Sequence, residues 1–152
     1  MEQLRVPTVP FDVEIRYFDE RPLIGRIFVP ALAAHHDGPM RPEEFLNQST
    51  LFFPFVPEEG QGAVMLNKRY VVVLTVIVAA DDSDEVGLAR DVMVECGSLR
   101  LRGRVHIDMP EHHSRLQDWA NRPEPFLVVY EGDRRHIVQK NRITFLSEVR
   151  EE

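Results

Sequence analysis

The sequence lacks the short motifs by which many soluble enzymes are recognised. It contains no Gly-x-Ser-x-Gly, no P-loop, no Gly-x-Gly-x-x-Gly and no Cys-x-x-Cys. Carboxylates are abundant, but they fall in turns and in charged surface runs. Because no nucleophile, base or cofactor site can be assigned from these residues, we predict a protein that is not an enzyme and has no cofactor.

Cysteine and long apolar stretches are also scarce. Cys96 is the single cysteine, so no intramolecular disulfide can form, which is typical of a reducing compartment. The longest apolar run, residues 70–80, is too short to span a bilayer, and no apolar segment of a signal peptide follows residues 1–5. The sequence therefore predicts a cytoplasmic protein without membrane insertion.

Positive charge is in deficit. The formal net charge is −7 at pH 7, which disfavours general nucleic-acid binding because attraction to phosphate supplies most of that affinity. Hydrophobic residues make up 43% of the chain, enough for a packed core. These features indicate a globular protein whose partner is another protein rather than nucleic acid.

What the sequence does contain is an internal repeat. The stretch 99–107 carries Gly103-Arg104 near its middle, and the stretch 23–29 carries Gly25-Arg26 in the same place, 78 residues earlier. Matching segments before and after this pair keep their order, and their offset falls from 79 near residue 13 to 74 near residue 45 and 72 near residue 70. We predict a tandem duplication of a unit of about 65 residues, since self-similarity in fixed order marks repeated supersecondary units.

Each copy has the pattern strand, strand, short helix, strand, strand, with a fifth strand where the closing apolar run is split. We predict an extended lead-in at 1–10, a first repeat at 11–80, an acidic linker at 81–89 and a second repeat at 90–149. The fold class is all-β with one short helix per repeat, arranged as two tandem small barrels. Because the linker has few apolar residues, a cut there should leave two fragments that associate or fold separately.

Two strands are specified further. The run 71–78 is apolar except for Thr75, which predicts a central strand buried on both faces. The run 51–56 contains Pro54, which predicts an edge or bulge position because proline cannot donate to a ladder.

Both copies resemble a known class of small barrels at their ends. Val13-x-Ile15-x-Tyr17, a turn and the first Gly-Arg strand resemble the opening motif of Sm-like barrels, and residues 67–71 and 139–144 resemble the second motif of bacterial Sm-like RNA chaperones. The segment 115–128 is also similar to an uncharacterised family of small bacterial domains. The resemblance implies a bacterial protein built from small SH3-like or Sm-like units, with RNA as an alternative ligand.

Arginines alternate with apolar residues in the second Gly-Arg strand. Arg100, Arg102 and Arg104 should share one face of this strand, because successive side chains of a strand point to opposite sides. We predict that these three residues bind an acidic protein partner, and that Arg134, Arg135, Lys140 and Arg142 extend the surface. The alternative is an ordinary exposed face paired with carboxylates.

Histidine doublets follow the second strand of each copy. His35 and His36 correspond to His112 and His113 at an offset of 77, and carboxylates lie near both in sequence. Imidazole and carboxylate together can bind zinc, so the doublets are a candidate metal site. The alternative is that they are solvated loop residues whose recurrence reflects the duplication.

Taken together, the sequence predicts a non-catalytic bacterial adaptor or regulatory module that binds another protein of unknown identity. A homo-oligomer is compatible with the pattern. The alternative is an Sm-like RNA-binding protein, which a steep dependence of binding on salt would reveal.

Overall fold

The structure of the chain is a computed structural model that describes residues 7–18, 21–60, 62–77, 88–107 and 115–150. The first half contains β1 (Thr8–Tyr17), β2 (Pro22–Pro30), α1 (Pro42–Leu46), β3 (Phe52–Pro57), β4 (Val64–Asn67), a 3₁₀ helix (Lys68–Tyr70) and β5 (Val71–Ile77). The second half contains β6 (Leu88–Cys96), β7 (Leu99–Ile107), α2 (Leu116–Ala120), β8 (Phe126–Glu131), β9 (Arg134–Gln139), a 3₁₀ helix (Lys140–Arg142) and β10 (Phe145–Glu148). The prediction of an all-β protein with one short α-helix in each half is confirmed for the described residues.

The ten strands form one antiparallel sheet in the order β10-β6-β7-β8-β9-β5-β1-β2-β3-β4. Among the described strands the sheet does not close, and β10 and β4 are its two edges. The described strands therefore form one continuous sheet and not the two separate barrels that the sequence predicts. The reason is that β5 and β9 pair with each other across the two halves, over five residue pairs from Val73–Val138 to Ile77–Arg134.

The two halves have the same internal strand order. In the first half it is β5-β1-β2-β3-β4, and in the second it is β10-β6-β7-β8-β9. The registers also correspond, since Val13 lies opposite Gly25 in the first hairpin and Val92 lies opposite Gly103 in the second. The junction of the halves therefore joins the last strand of one to the fourth strand of the other.

β5 is an interior strand, as the apolar run 71–78 predicts, up to Ile77 where its description ends. Its side chains alternate between two cores, because successive residues of a strand point to opposite faces. Leu74 and Val76 pack in a core formed mainly by the first half, whereas Val73 packs in a core formed mainly by the second half. Val71 also packs in the first core, because it lies beyond the point where β5 shifts register against β1. The two cores thus lie on opposite sides of the β5–β9 junction.

Pro54 lies on β3, where sequence predicts an edge or a bulge. β3 pairs with β4 along four residues but with β2 only at its last two, Val56 and Pro57. No ladder to β2 is described at Pro54, so its missing N–H leaves no gap in that pairing. This is the physical reason that the proline is tolerated in a strand with two neighbours.

The glycines of both Gly-Arg pairs sit where neighbouring strands approach most closely. A Cβ atom on Gly25 would lie 2.2 Å from the Val56 carbonyl oxygen, and one on Gly103 would lie 2.5 Å from that of Tyr130. Only glycine fits without displacing the adjacent main chain. The repeated Gly-Arg pair therefore marks the same close approach in each half.

The first strand of each half begins a few residues before the predicted start of its repeat. β1 already begins at Thr8, inside the predicted lead-in, because Thr8 to Pro10 pair with the end of β2. β6 begins at Leu88, inside the predicted linker, because Leu88 lies opposite Ile107. The remainder of the predicted linker lies outside the described residues.

Candidate protein-interaction surfaces

The three arginines predicted to bind a partner lie exposed on one face of β7. Arg100 Nη2 is 2.8 Å from Glu95 Oε1, and Arg104 Nε is 3.4 Å from Asp91 Oδ1, both across the β6–β7 hairpin. Exposed ion pairs of this kind contribute about 0–1 kcal/mol to stability. The face that carries Arg100, Arg102 and Arg104 is therefore a surface of mixed charge, partly paired as the alternative interpretation predicts.

A shallow depression adjoins this face. Its volume is about 380 Å³, and it is lined by Asp91, Arg102, Gly103, Arg104, Tyr130, Glu131 and Gly132. It presents arginines beside carboxylates on a polar floor. Such a lining suits a polar partner but does not select an acidic one.

The further cations predicted to extend the arginine face are mostly used within the protein. Arg135 is buried, the Lys140 ammonium donates to the Arg122 carbonyl oxygen at 2.6 Å, and Arg142 Nε donates to the Arg69 carbonyl oxygen at 3.1 Å. Arg134, the remaining cation of this set, is exposed at the start of β9. The predicted extension is wrong for Arg135, because its side chain is buried. Lys140 and Arg142 are half-buried and each bonds a main-chain carbonyl, so their part in a docking surface stays a prediction.

A nearly buried ion pair crosses the junction of the halves. Arg135 Nη1 lies 3.1 and 3.3 Å from the two carboxylate oxygens of Glu43, and its guanidinium carbon is 5.2 Å from the centre of the Tyr130 ring. Burial raises the pKa of Glu43, although Arg135 and Arg41 oppose this shift. The pairing could not be read from the sequence, since Glu43 and Arg135 are 92 positions apart and no spacing rule relates them.

Polar side chains also connect main-chain groups across the junction. The Asn47 side-chain oxygen accepts from the Phe126 N–H at 2.9 Å, and its amide nitrogen donates to the Phe126 carbonyl oxygen at 3.4 Å. Thr75 Oγ1 and His136 Nδ1, directly opposite each other on β5 and β9, are 2.8 Å apart. The junction therefore has its own hydrogen bonds in addition to the strand ladder.

Corresponding lysines anchor the 3₁₀ helix of each half. The Lys68 ammonium donates to the Gln48 carbonyl oxygen at 3.0 Å, as Lys140 does to Arg122 in the second half. Burial lowers the pKa of Lys68 and of Lys140. The Gln139 side chain donates to the Lys68 carbonyl oxygen, which ties the first of these 3₁₀ helices to β9.

A cavity of about 440 Å³ lies where α1 meets the second half. Its lining consists of Arg41, Glu43, Asn47, His106, Trp119, Arg122, Glu124, Phe126, Leu127, Val128, Tyr130 and Lys140. Arg122 Nε lies 3.4 Å from Glu124 Oε2; burial raises the pKa of Glu124, but its own main chain, Arg122 and Lys140 together bring it below the ordinary value. Three basic residues therefore line the cavity against two acidic ones, and the Arg122–Glu124 pair compensates part of this charge.

The first histidine doublet is not arranged as a metal site. His36 Nε2 lies 2.5 Å from Glu44 Oε1, and its Nδ1 lies 2.9 Å from the Asp37 carbonyl oxygen, whereas His35 is exposed. Within the described ranges no group of three or more His, Cys, Asp or Glu residues could hold a metal ion. The second doublet, His112 and His113, lies outside the described residues, so the metal site remains a prediction.

The open edges of the sheet carry exposed apolar side chains. Val64 and Met65 on the edge strand β4 and Phe145 on the edge strand β10 are exposed, as is Phe52 on β3, the strand next to β4. Edge strands in water are usually protected by charge, proline or a covering element, because their unpaired main-chain groups can pair with another strand. These residues were not predicted as a site from the sequence, although their apolar character within predicted strands is visible there.

No known protein family, no curated protein and no solved structure matches this chain. Among the described helices, none is long and apolar enough to cross a membrane. The surfaces of the fold are therefore the basis for assigning a function.

Proposed function

We infer that the chain arose by tandem duplication of one five-stranded unit related to the small SH3-like and Sm-like barrels. The shared strand order and register support this inference. The most detailed support is an ion pair at the same place in each hairpin. Arg26 lies 2.8 Å from Asp12 in the first hairpin, and Arg104 lies 3.4 Å from Asp91 in the second. Independent origins would not be expected to reproduce both the register and the paired side chains.

We propose that this duplicated unit is a non-catalytic, cytoplasmic adaptor or regulatory module of bacteria that binds another protein by strand pairing at an open sheet edge. The observation that carries the proposal is the exposed apolar β4 edge at Val64 and Met65, where no second strand pairs with β4 among the described residues. Strand addition of this kind obtains affinity from main-chain hydrogen bonds and specificity from alternate side chains. The arginine face of β7 is a second surface that would contribute charge recognition.

The use of the buried polar side chains supports a non-catalytic role. Four polar side chains are buried in the described parts of the chain: Lys68, Arg135, His136 and Gln139. Each of them bonds a main-chain or side-chain group of the fold. Catalytic acids and bases instead lie in clefts where they can reach a substrate.

The test is affinity capture with the full chain and a variant of the β4 edge. We expect Met65→Asp to lose the specifically bound proteins that the wild type recovers from a bacterial lysate, because a charge at this position opposes apolar strand pairing. The matched control is Leu32→Asp, which places the same charge at an exposed leucine of a loop.

The proposal is wrong if both variants recover the same proteins as the wild type. Recovery of RNA instead, with binding that falls steeply as salt is raised, would favour the Sm-like alternative. Melting curves of both variants should match the wild type, since substitutions at exposed sites typically change stability by within about 0.5 kcal/mol.

A further inference from the structure

The β5–β9 junction shows how two of these units join. The last strand of the first half pairs with the fourth strand of the second half, antiparallel, with Val73 opposite Val138, Leu74 opposite Ile137 and Thr75 opposite His136. Each half therefore contributes a different edge to the junction. One edge of each half is used inside the chain, and the other remains open.

The two open edges are the counterparts of the two joined ones. β4 of the first half corresponds to β9 of the second half. β10 of the second half corresponds to β5 of the first half. The local registers agree, since Leu74 lies opposite Ile15 as Leu146 lies opposite Val94. The same holds for the fourth strands, where Met65 lies opposite Pro54 as Ile137 lies opposite Val128.

The exposed side chains of the open edges have counterparts that are buried at the junction. Phe145 is 68% exposed, whereas Val73, at the same place in the first half, is 2% exposed. Met65 is 62% exposed, whereas Ile137, at the same place in the second half, is fully buried.

The same contrast extends to the neighbouring positions. Phe52 and Val64 are exposed, whereas their counterparts Phe126 and His136 are buried. The burial of Phe126 and Ile137 depends on the first half, because both side chains pack in the core of that half. The open edges therefore expose the apolar positions that the junction covers.

We propose that copies of this chain join head to tail, with β4 of one copy pairing antiparallel with β10 of the next in the register of the β5–β9 junction. This inference rests on the proposed function, in that it names a second copy as a protein bound at the edge. The register places Phe145 opposite Leu66, Leu146 opposite Met65 and Ser147 opposite Val64. Phe145 then enters the first core of the neighbouring copy, as Val73 enters the second core within the chain.

The contact is heterologous, because two different edges meet. Such contacts form rings when the rotation between copies closes and open filaments when it does not. A two-fold dimer through β4 alone or β10 alone would not reproduce the junction. This difference makes the proposal testable with two variants that each block one edge.

The experiment measures molar mass by light scattering after size exclusion, with purified full chain and with the variants Met65→Asp and Phe145→Asp. We expect the wild type to assemble beyond the dimer in a concentration-dependent way, and each variant to be monomeric. An equimolar mixture should form a heterodimer, because the free β10 of the first variant meets the free β4 of the second. Leu32→Asp, equally exposed but on neither edge, should assemble like the wild type.

A second measurement fixes the register and does not depend on charged variants. Val64→Cys and Ser147→Cys, on separate copies, should form an intermolecular disulfide that mass spectrometry of the linked peptides identifies. The control pair Val64→Cys and Glu148→Cys is one residue out of register, which turns the side chains to opposite faces, and it should not link.

The proposal is overturned if the wild type is monomeric at high micromolar concentration, if either variant assembles like the wild type, or if the mixture contains no heterodimer. Equal linking of the in-register and out-of-register cysteine pairs would also overturn it. A monomeric wild type whose lysate partners are still lost on Met65→Asp would overturn this inference while leaving the proposed function intact.

Discussion

The close approach of strands at Gly103 leads to a quantitative prediction for the variant Gly103→Ala. The added Cβ would lie 2.5 Å from the Tyr130 carbonyl oxygen and 2.6 Å from Val129 Cγ1, about 0.9 Å short of an ordinary contact at 3.4 Å for the oxygen. The Val129 side chain could shift, but the oxygen belongs to the main chain of β8. The clash can therefore be relieved only by moving β7 and β8 apart.

The cost of that movement can be estimated from its parts. Overpacking of this kind costs about 1–3 kcal/mol. The described pairing of β7 with β8 is short, being limited to Arg104 and Tyr130, so separation also loses a hydrogen bond worth about 0.5–1.5 kcal/mol. Replacing glycine by alanine in a strand also stabilises the folded state by about 0.5–1 kcal/mol, which offsets part of this loss. We expect a net loss of about 2–3 kcal/mol in the free energy of unfolding.

Thermal unfolding followed by circular dichroism would measure this loss. For a chain of this length about 2–4 °C is lost per kcal/mol, so the midpoint should fall by about 4–12 °C. Gly25→Ala should behave similarly, because its Cβ meets Val56 in the same way. Arg102→Ala, on the same strand but exposed, is the control and should change stability by less than about 0.5 kcal/mol. A Gly103→Ala midpoint within 2 °C of the wild type, on the order of 0.5 kcal/mol, would refute the packing argument.

Three further predictions concern charge and titration. The variant with Arg100, Arg102 and Arg104 reversed to glutamate should stay folded, with a lowered melting temperature because Glu95 and Asp91 then face like charges. Its capture of an acidic partner should weaken, and unchanged capture would make this an ordinary solvated face. Burial raises the pKa of Cys96 to about 11, so its alkylation by iodoacetamide at pH 8 should be about a hundredfold slower in the native than in the urea-unfolded chain; equal rates would contradict this. The main-chain hydrogen bond to Asp37, and then its carboxylate partner, raise the pKa of His36 above 6.5, so its stabilising contribution is complete below that pH and is lost as the pH rises through the raised value. The variant His36→Gln should remove this part of the pH dependence of the melting temperature, and an unchanged pH profile would show that the ion pair contributes nothing.

Local patterns in the sequence were sufficient for the fold class and for several elements. The apolar run that forms β5 predicted an interior strand because a strand buried on both faces has no reason to alternate. The Gly-Arg pairs could be recognised as equivalent because they lie in similar apolar segments 78 residues apart. The structure gives the physical reason for the repeat, since each glycine meets a steric requirement that a larger residue would not. These features depend on residues close together in the chain.

The junction between the halves could not be predicted from local sequence patterns, because its contacts join residues far apart in the chain. Nothing near Arg135 distinguishes a cation that faces solvent from one that meets Glu43 across 92 positions, and the sequence analysis placed it on the surface. Likewise, β5 could have closed onto its own half, as a barrel requires. Its pairing with β9 is a choice between two long-range contacts, and periodicity does not rank them.

The exchange of side chains across the junction bears on how the two halves can exist apart. Phe126 and Ile137, from the second half, complete the core of the first, while Val73, from the first half, completes the core of the second. Burial of a phenylalanine or isoleucine side chain contributes about 1.5–3 kcal/mol to stability. Without Phe126 and Ile137, the first half alone would therefore lose about 3–6 kcal/mol of stabilisation. That is comparable with the whole stability of many domains.

A chain cut between residues 81 and 87 should therefore behave as an obligate pair of fragments. Of the two outcomes predicted from the linker, association is the one that the shared cores favour. Co-expressed fragments should co-purify and unfold in a single transition, whereas each fragment expressed alone should lack a cooperative transition. On the proposal that the chain arose by duplication, its halves correspond to two subunits of an obligate dimer joined in one chain, and neither half is expected to fold when it is made alone.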